Sequence, residues 1–129
     1  MAAIFDDLDP SWKPIALAID ADLKARNVRC TAFSGRRIYV DQNIAFKNKA
    51  SQCDGIIKIS LHQAGLATDW VAIDDNGRPT WDYIKFADVY KDIRDTIIRH
   101  GGEAGGTWMP SPYESVGLGW DPPHGQIKA

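Results

Sequence analysis

Cysteine is scarce: the 129 residues include two, Cys30 and Cys53. Two are too few for a disulfide framework, and they lack the C-x-x-C spacing of redox or zinc-ribbon sites. Both read as small, buried apolar side chains. Long apolar runs are missing. No stretch exceeds five residues, as in Ile15 to Ile19, whereas a membrane span needs about 18, so no membrane insertion is expected. Positive charge is not in excess either: 15 Lys and Arg stand against 17 Asp and Glu, for a net charge of −2 and a pI of about 5.8. That balance gives no whole-molecule attraction to nucleic acid. Repeats, low-complexity tracts and long linkers are absent. The opening MAAIFDDLDP carries acids where a secretory signal has Lys or Arg followed by an apolar run, which places the chain in the cytosol where it is made.

What is present is globular composition, 44% hydrophobic and 25% charged. The length suits one domain over residues 1–129, because two halves would have thin cores; a monomer is expected. Ile15, Ile19 and Leu23 recur every fourth residue, which predicts an amphipathic helix over Ser11–Asn27 with Pro14 in its first turn. Val28–Phe33 alternates as a strand does, and Ser34-Gly35 breaks it. A short helix is expected over Tyr39–Asn48 and strands over Ile56–Ser60 and Asp69–Ile73, with a turn centred on Asn76-Gly77. Thr80 or Asp82 would cap a helix running to His100, its apolar stripe formed by Phe86, Val89, Ile93 and Ile97 and its end marked by Gly101-Gly102. Glu103–Ala129, rich in Gly and Pro but carrying Trp108, Tyr113 and Trp120, reads as an ordered irregular wall. The fold class is α+β: helices packed on a small, mainly antiparallel sheet.

Two of the three histidines stand in unusual company, His62 in the run Ser60–Asp69 and His124 in Trp120-Asp121-Pro122-Pro123-His124. His62, Asp69 and His124 offer two imidazoles and a carboxylate, a three-ligand set suited to a catalytic zinc with one open position. Asp121, three residues before His124, is placed to act as the proton-handling carboxylate that zinc hydrolysis needs beside the metal. Spacing alone leaves the bland alternative open: a loop histidine, a turn acid before a strand, and a surface turn.

The longer patterns favour the metal. Ser60 to Asp69 fits S-x-H-x-x-G-x-A-x-D, which resembles the zinc peptidases of bacterial cell-wall peptides. These are the D-alanyl-D-alanine dipeptidases and carboxypeptidases, and the L-alanyl-D-glutamate peptidases that include phage endolysins; hedgehog signalling domains share their fold. Asp121-x-Pro-His124 is similar to the second motif of the L-alanyl-D-glutamate group. Ser34-Gly35-Arg36-Arg37 followed by Gln42, and Gly105-Gly106-Thr107-Trp108, resemble two further stretches of these enzymes. The matches run in the family's order from Val28 to Gln126. The resemblance implies a hedgehog/DD-peptidase-like fold, with Zn2+ held by His62, Asp69 and His124. It implies Asp121 as general base, Arg37 as the arginine that binds substrate or steadies the transition state, and Ser60 and Gln42 as supports. The implied substrate is the peptidoglycan stem peptide, cut between L-Ala and D-Glu. The implied setting is an endolysin held in the host cytoplasm until it reaches the wall.

The sequence departs from the family at Gly125, where an aromatic residue usually follows the last histidine, and at Arg36, where an aromatic is favoured. Gly125 would loosen packing beside His124 or leave room for a substrate group, and the last strand must be short. Glu114 is an alternative base, His100 a helix-end cation, and Arg26, Arg29 and Arg36 a solvated basic face. Two other functions remain: a D-alanyl-D-alanine carboxypeptidase or dipeptidase, with the same site and a different pocket, and a zinc-stabilised binding module without catalysis.

Overall fold

The computed structural model describes residues 3–34, 61–62 and 64–128. The expected helix at 39–48, the expected strand at 56–60, and Gly35, Arg36, Arg37, Gln42, Cys53 and Ser60 lie outside the described residues. Among the described residues, three helices, α1 (Ala3–Asp6), α2 (Lys13–Ala25) and α3 (Ala87–Arg99), accompany five strands: β1 (Cys30–Ser34), β2 (Ala67–Ile73), β3 (Pro79–Thr80), β4 (Glu103–Ala104) and β5 (His124–Gln126). The sheet of the described residues runs β1-β2-β5-β4, with β3 also on β2, and each of these pairings is antiparallel.

A turn built on Asp9 leads into α2. Its carboxylate accepts from the Ser11 backbone N–H and hydroxyl, and its carbonyl accepts from Lys13 N. The helix therefore begins two residues later than its apolar spacing predicts. It buries Ile19 and Leu23 as expected, with Ala16 and Asp20, while Ile15 is only partly buried against the core. Asp20 is tolerated there because it accepts the Trp70 indole N–H at 3.2 Å and pairs with Lys24 at 2.7 Å.

α3 starts at Ala87 rather than near Asp82. Thr80 is taken into β3 opposite Ala72, and the Asp82 side chain caps a separate turn through Lys85 N. The buried stripe also differs from the expected one. Ala87, Tyr90, Ile93, Thr96 and Ile97 are buried, while Phe86 and Val89 only flank the core. Tyr90 spans two strands, its hydroxyl accepting from Ala72 N and donating to Thr80 O. Ile19, Leu23, Ile93 and Ile97 are each at most 1% exposed, worth about 1.5–3 kcal/mol apiece in transfer free energy. Cys30 is half-buried rather than fully buried, and burial pushes its thiol up to about 12, which leaves it unreactive.

Alternation along β2 sorts the two faces of the sheet. Thr68, Trp70 and Ala72 meet the helical layer: Thr68 accepts from the Trp12 indole, Trp70 reaches Asp20 and Ala72 reaches Tyr90. Ala67, Asp69 and Val71 therefore face the other way. The segment after α3 is an ordered wall, as expected, containing β4, two single 3₁₀ turns (Gly105–Thr107 and Glu114–Val116) and the three-residue β5.

Candidate metal centre

Each residue of the S-x-H-x-x-G-x-A-x-D pattern that is described here has a local task. After His62 the chain turns back through Gly65 N to His62 O (3.2 Å) and Leu66 N to Leu61 O (2.8 Å). Gly65 takes φ +75°, and a Cβ there would lie 2.8 Å from Asp9 N, whose N–H donates to the Gly65 carbonyl. Only glycine satisfies both the left-handed backbone and that close approach. Ala67 is fully buried as β2 begins. Asp69 follows two residues later on the same face, directly opposite His124 of β5.

Residues far apart in the chain thus converge. His62 Nε2 and His124 Nδ1 are 3.2 Å apart, and each lies 3.4 Å from Asp69 Oδ1. A tetrahedral ion with bonds of about 2.0–2.1 Å needs ligand atoms about 3.3 Å from one another, so the three edges fit such an ion without rearrangement. His62 is 4% and His124 7% exposed. Burial alone would raise the Asp69 pKa, but the charge of His62 and hydrogen bonds with His124 and His62 outweigh it and hold the carboxyl well below its usual range. Burial pulls the His124 imidazole down, while its hydrogen bond to Asp69 and that group's charge raise it above its ordinary value. The trio, two buried imidazoles and a partly buried carboxylate, is a mutually reinforced set that could bind a divalent metal.

Asp121 stands beside this trio without being part of it. Its Oδ2 is 3.7 Å from His124 Nδ1, and the His124 backbone N–H donates to its carbonyl at 3.1 Å. Gly105 makes the approach possible. A Cβ there would lie 2.9 Å from that of Asp121 and 3.0 Å from that of His124, which gives the first glycine of Gly105-Gly106-Thr107-Trp108 a steric reason. Trp108 packs 5.1 Å from the His124 ring and 5.0 Å from Trp120, which is 36% exposed. These two indoles form an aromatic wall beside the site.

Gly125 leaves no room for a substrate group. Being one residue on from His124, it points to the opposite face of the sheet. A Cβ there would lie 2.9 Å from Ile97 Cδ1 and 3.1 Å from Trp70 Cζ3. Core side chains fill the space beside Gly125. Glu114 is exposed on its 3₁₀ turn, and His100 caps α3 and bonds Asp22 on α2 at 2.8 Å. Arg37, Gln42 and Ser60 belong to the residues not described.

Sequence reasoning missed two groups. Gln126 Oε1 lies 2.8 Å from His124 Nε2, and Gln126 Nε2 lies 3.2 Å from Glu103 Oε2, which also accepts the Trp108 indole N–H at 3.1 Å. The i, i+2 spacing of His124 and Gln126 was a readable signal, since both sit on one face of a strand. Glu103 arrives only through its register opposite Gln126.

No family model matches the chain, and neither does any curated protein. Solved structures do. The L-Ala D-Glu endopeptidase ChiX of Serratia marcescens is 22% identical with a TM-score of 0.62, the match covering 98% of this chain and 84% of ChiX. The LD-carboxypeptidase LdcB is 20% identical with a TM-score of 0.61, over 93% of this chain and 58% of LdcB. The D,D-pentapeptidase VanY of a VanB-type resistance cassette, in complex with Zn(II), is 20% identical with a TM-score of 0.56, over 93% of this chain and 72% of VanY. The chain has the fold shared by these peptidases.

Proposed function

We propose that this chain is a zinc-dependent peptidase of peptidoglycan stem peptides that hydrolyses the L-alanyl-D-glutamate bond. The observation that carries the reading is the His62–Asp69–His124 triangle, whose edges of 3.2 and 3.4 Å suit one tetrahedral ion, with Asp121 adjacent. Zinc bound there would supply Lewis acidity, lowering the pKa of water from about 15.7 towards 7 and polarising the scissile carbonyl. His62 and Asp69 orient through the turn and strand that hold them, and His124 through β5. Asp121 Oδ2 takes the proton of the attacking water and passes it to the leaving amine, the role of a carboxylate beside but outside the ligand set. The aromatic wall of Trp108 and Trp120 limits water on one side.

The remaining assignments rest on the sequence motifs. Arg37 would grip the free α-carboxylate of D-glutamate or steady the oxyanion with its planar fork, and Ser60 and Gln42 would support the site. The acid-x-x-His spacing of Asp121 and His124 serves both reactions, and Asp rather than Glu at position 121 favours the L-alanyl-D-glutamate bond over D-alanyl-D-alanine. We place the protein as a phage or prophage endolysin that works as a monomer, waits in the cytoplasm and reaches the wall once the inner membrane is permeabilised.

Digestion of purified murein, read by mass spectrometry of the released muropeptides, tests this directly. New L-Ala carboxyl and D-Glu amino termini are expected. Loss of a terminal D-alanine instead would assign the carboxypeptidase reaction. Murein left intact by zinc-loaded protein would refute the peptidase and favour a binding module.

A further inference from the structure

We infer that Gln126 and Glu103 are positioning residues that set which nitrogen of His124 faces the metal. The inference rests on the proposed metal site and extends it to residues no motif supplies. The Trp108 indole N–H can only donate, so the group it meets, Glu103 Oε2, accepts. The same oxygen is 3.2 Å from the Gln126 side chain. An ionised carboxylate has no proton to give, so the amide must turn its NH2 towards Glu103. Gln126 therefore has only its carbonyl oxygen left for His124, 2.8 Å from Nε2. A carbonyl oxygen only accepts, so Nε2 must carry a hydrogen, and Nδ1 is the nitrogen left to offer a lone pair to a metal. Nδ1 is the atom that faces His62 Nε2 and Asp69 Oδ1.

The fold supplies this arrangement through register. Gln126 shares a face of β5 with His124, and Glu103 is its direct partner across β4 and β5. Outer partners of this kind orient a ligating imidazole and fix its tautomer, and their loss typically weakens metal affinity by about 10–100-fold.

The test has two readouts. Nitrogen-15 NMR of metal-free protein at alkaline pH reports the His124 tautomer without any metal, and chelator competition reports zinc affinity. The wild type is expected to show hydrogen on Nε2. Gln126→Leu should lose that preference and bind zinc about 10–100-fold more weakly. Glu103→Gln retains an acceptor for both donors and should keep both properties close to wild type. Glu103→Lys presents a donor to Gln126, reverses the amide, moves the hydrogen to Nδ1 and should weaken zinc most. A wild-type spectrum with no hydrogen on Nε2 would overturn the inference, as would Gln126→Leu holding zinc within about twofold of wild type. Should a variant fail to fold, the wild-type spectrum alone decides. A wild type that takes up no zinc removes the proposed function, while the tautomer readout still judges the relay.

Discussion

Gly125→Ala adds one methyl group in a place where two rules of thumb give opposite signs. In an extended strand, alanine normally stabilises relative to glycine by about 0.5–1 kcal/mol, through the lower entropy of the unfolded chain. Here the new Cβ would lie 2.9 Å from Ile97 Cδ1, 3.1 Å from Ile97 Cγ1 and 3.1 Å from Trp70 Cζ3. Both neighbours are fully buried in the core, so neither can swing into solvent. Overpacking of this kind costs about 1–3 kcal/mol, and the steric term wins. The nearest clash is with Cδ1, the atom that Ile97→Val removes. Ile97→Val alone should cost about 0.5–1.5 kcal/mol. The double variant should then be less destabilised than the sum of the singles, with a coupling of about 1 kcal/mol. Urea denaturation followed by circular dichroism measures all four corners of the cycle. A Gly125→Ala protein as stable as wild type, or a cycle additive within about 0.3 kcal/mol, would refute the packing argument.

Asp121→Ala should retain zinc and fold but lose turnover on murein by about 10²–10⁴-fold; near-normal turnover would move the proton-handling role to another group such as Glu114. Arg37→Lys keeps the charge but not the planar fork, and should impair hydrolysis; full activity would show that bidentate binding is not used. Asp22 is held down to about 2 from an ordinary 3.8, chiefly by its hydrogen bond from His100 and then by Arg26 and Arg99. Its folded pKa lies below the unfolded one, so its contribution is complete above pH 3.8 and lost as pH falls through about 2. Asp22→Asn should flatten that part of the acid limb in urea midpoints measured against pH, and an unchanged limb would contradict the assignment.

The sequence was most legible where one residue type answers one steric demand. Gly65, Ala67 and Asp69 could be placed from the motif because the turn needs a left-handed glycine, the strand entry needs a small side chain and the acid follows at strand spacing. The α+β class and the antiparallel sheet were likewise readable from the alternation of β2 and the stripe of α2. Boundaries were less so. The start of α3 shifts because Thr80 pairs with Ala72 across the sheet, a contact between segments that no local propensity encodes. Gly125 could not be understood locally at all, since the side chains occupying its space, Ile97 and Trp70, come from another helix and another strand. Glu103 was invisible for the same reason: only the pairing of β4 with β5 brings it to Gln126.

The central claim is that His62, Asp69 and His124 grip one divalent ion. Zinc titration of metal-free protein, with content verified by elemental mass spectrometry, tests it most directly. One zinc per chain is expected for the wild type, falling far below one in His62→Ala and in His124→Ala while circular dichroism shows each still folded. Wild-type protein that stays metal-free, or histidine variants that load zinc as fully as it does, would contradict the claim.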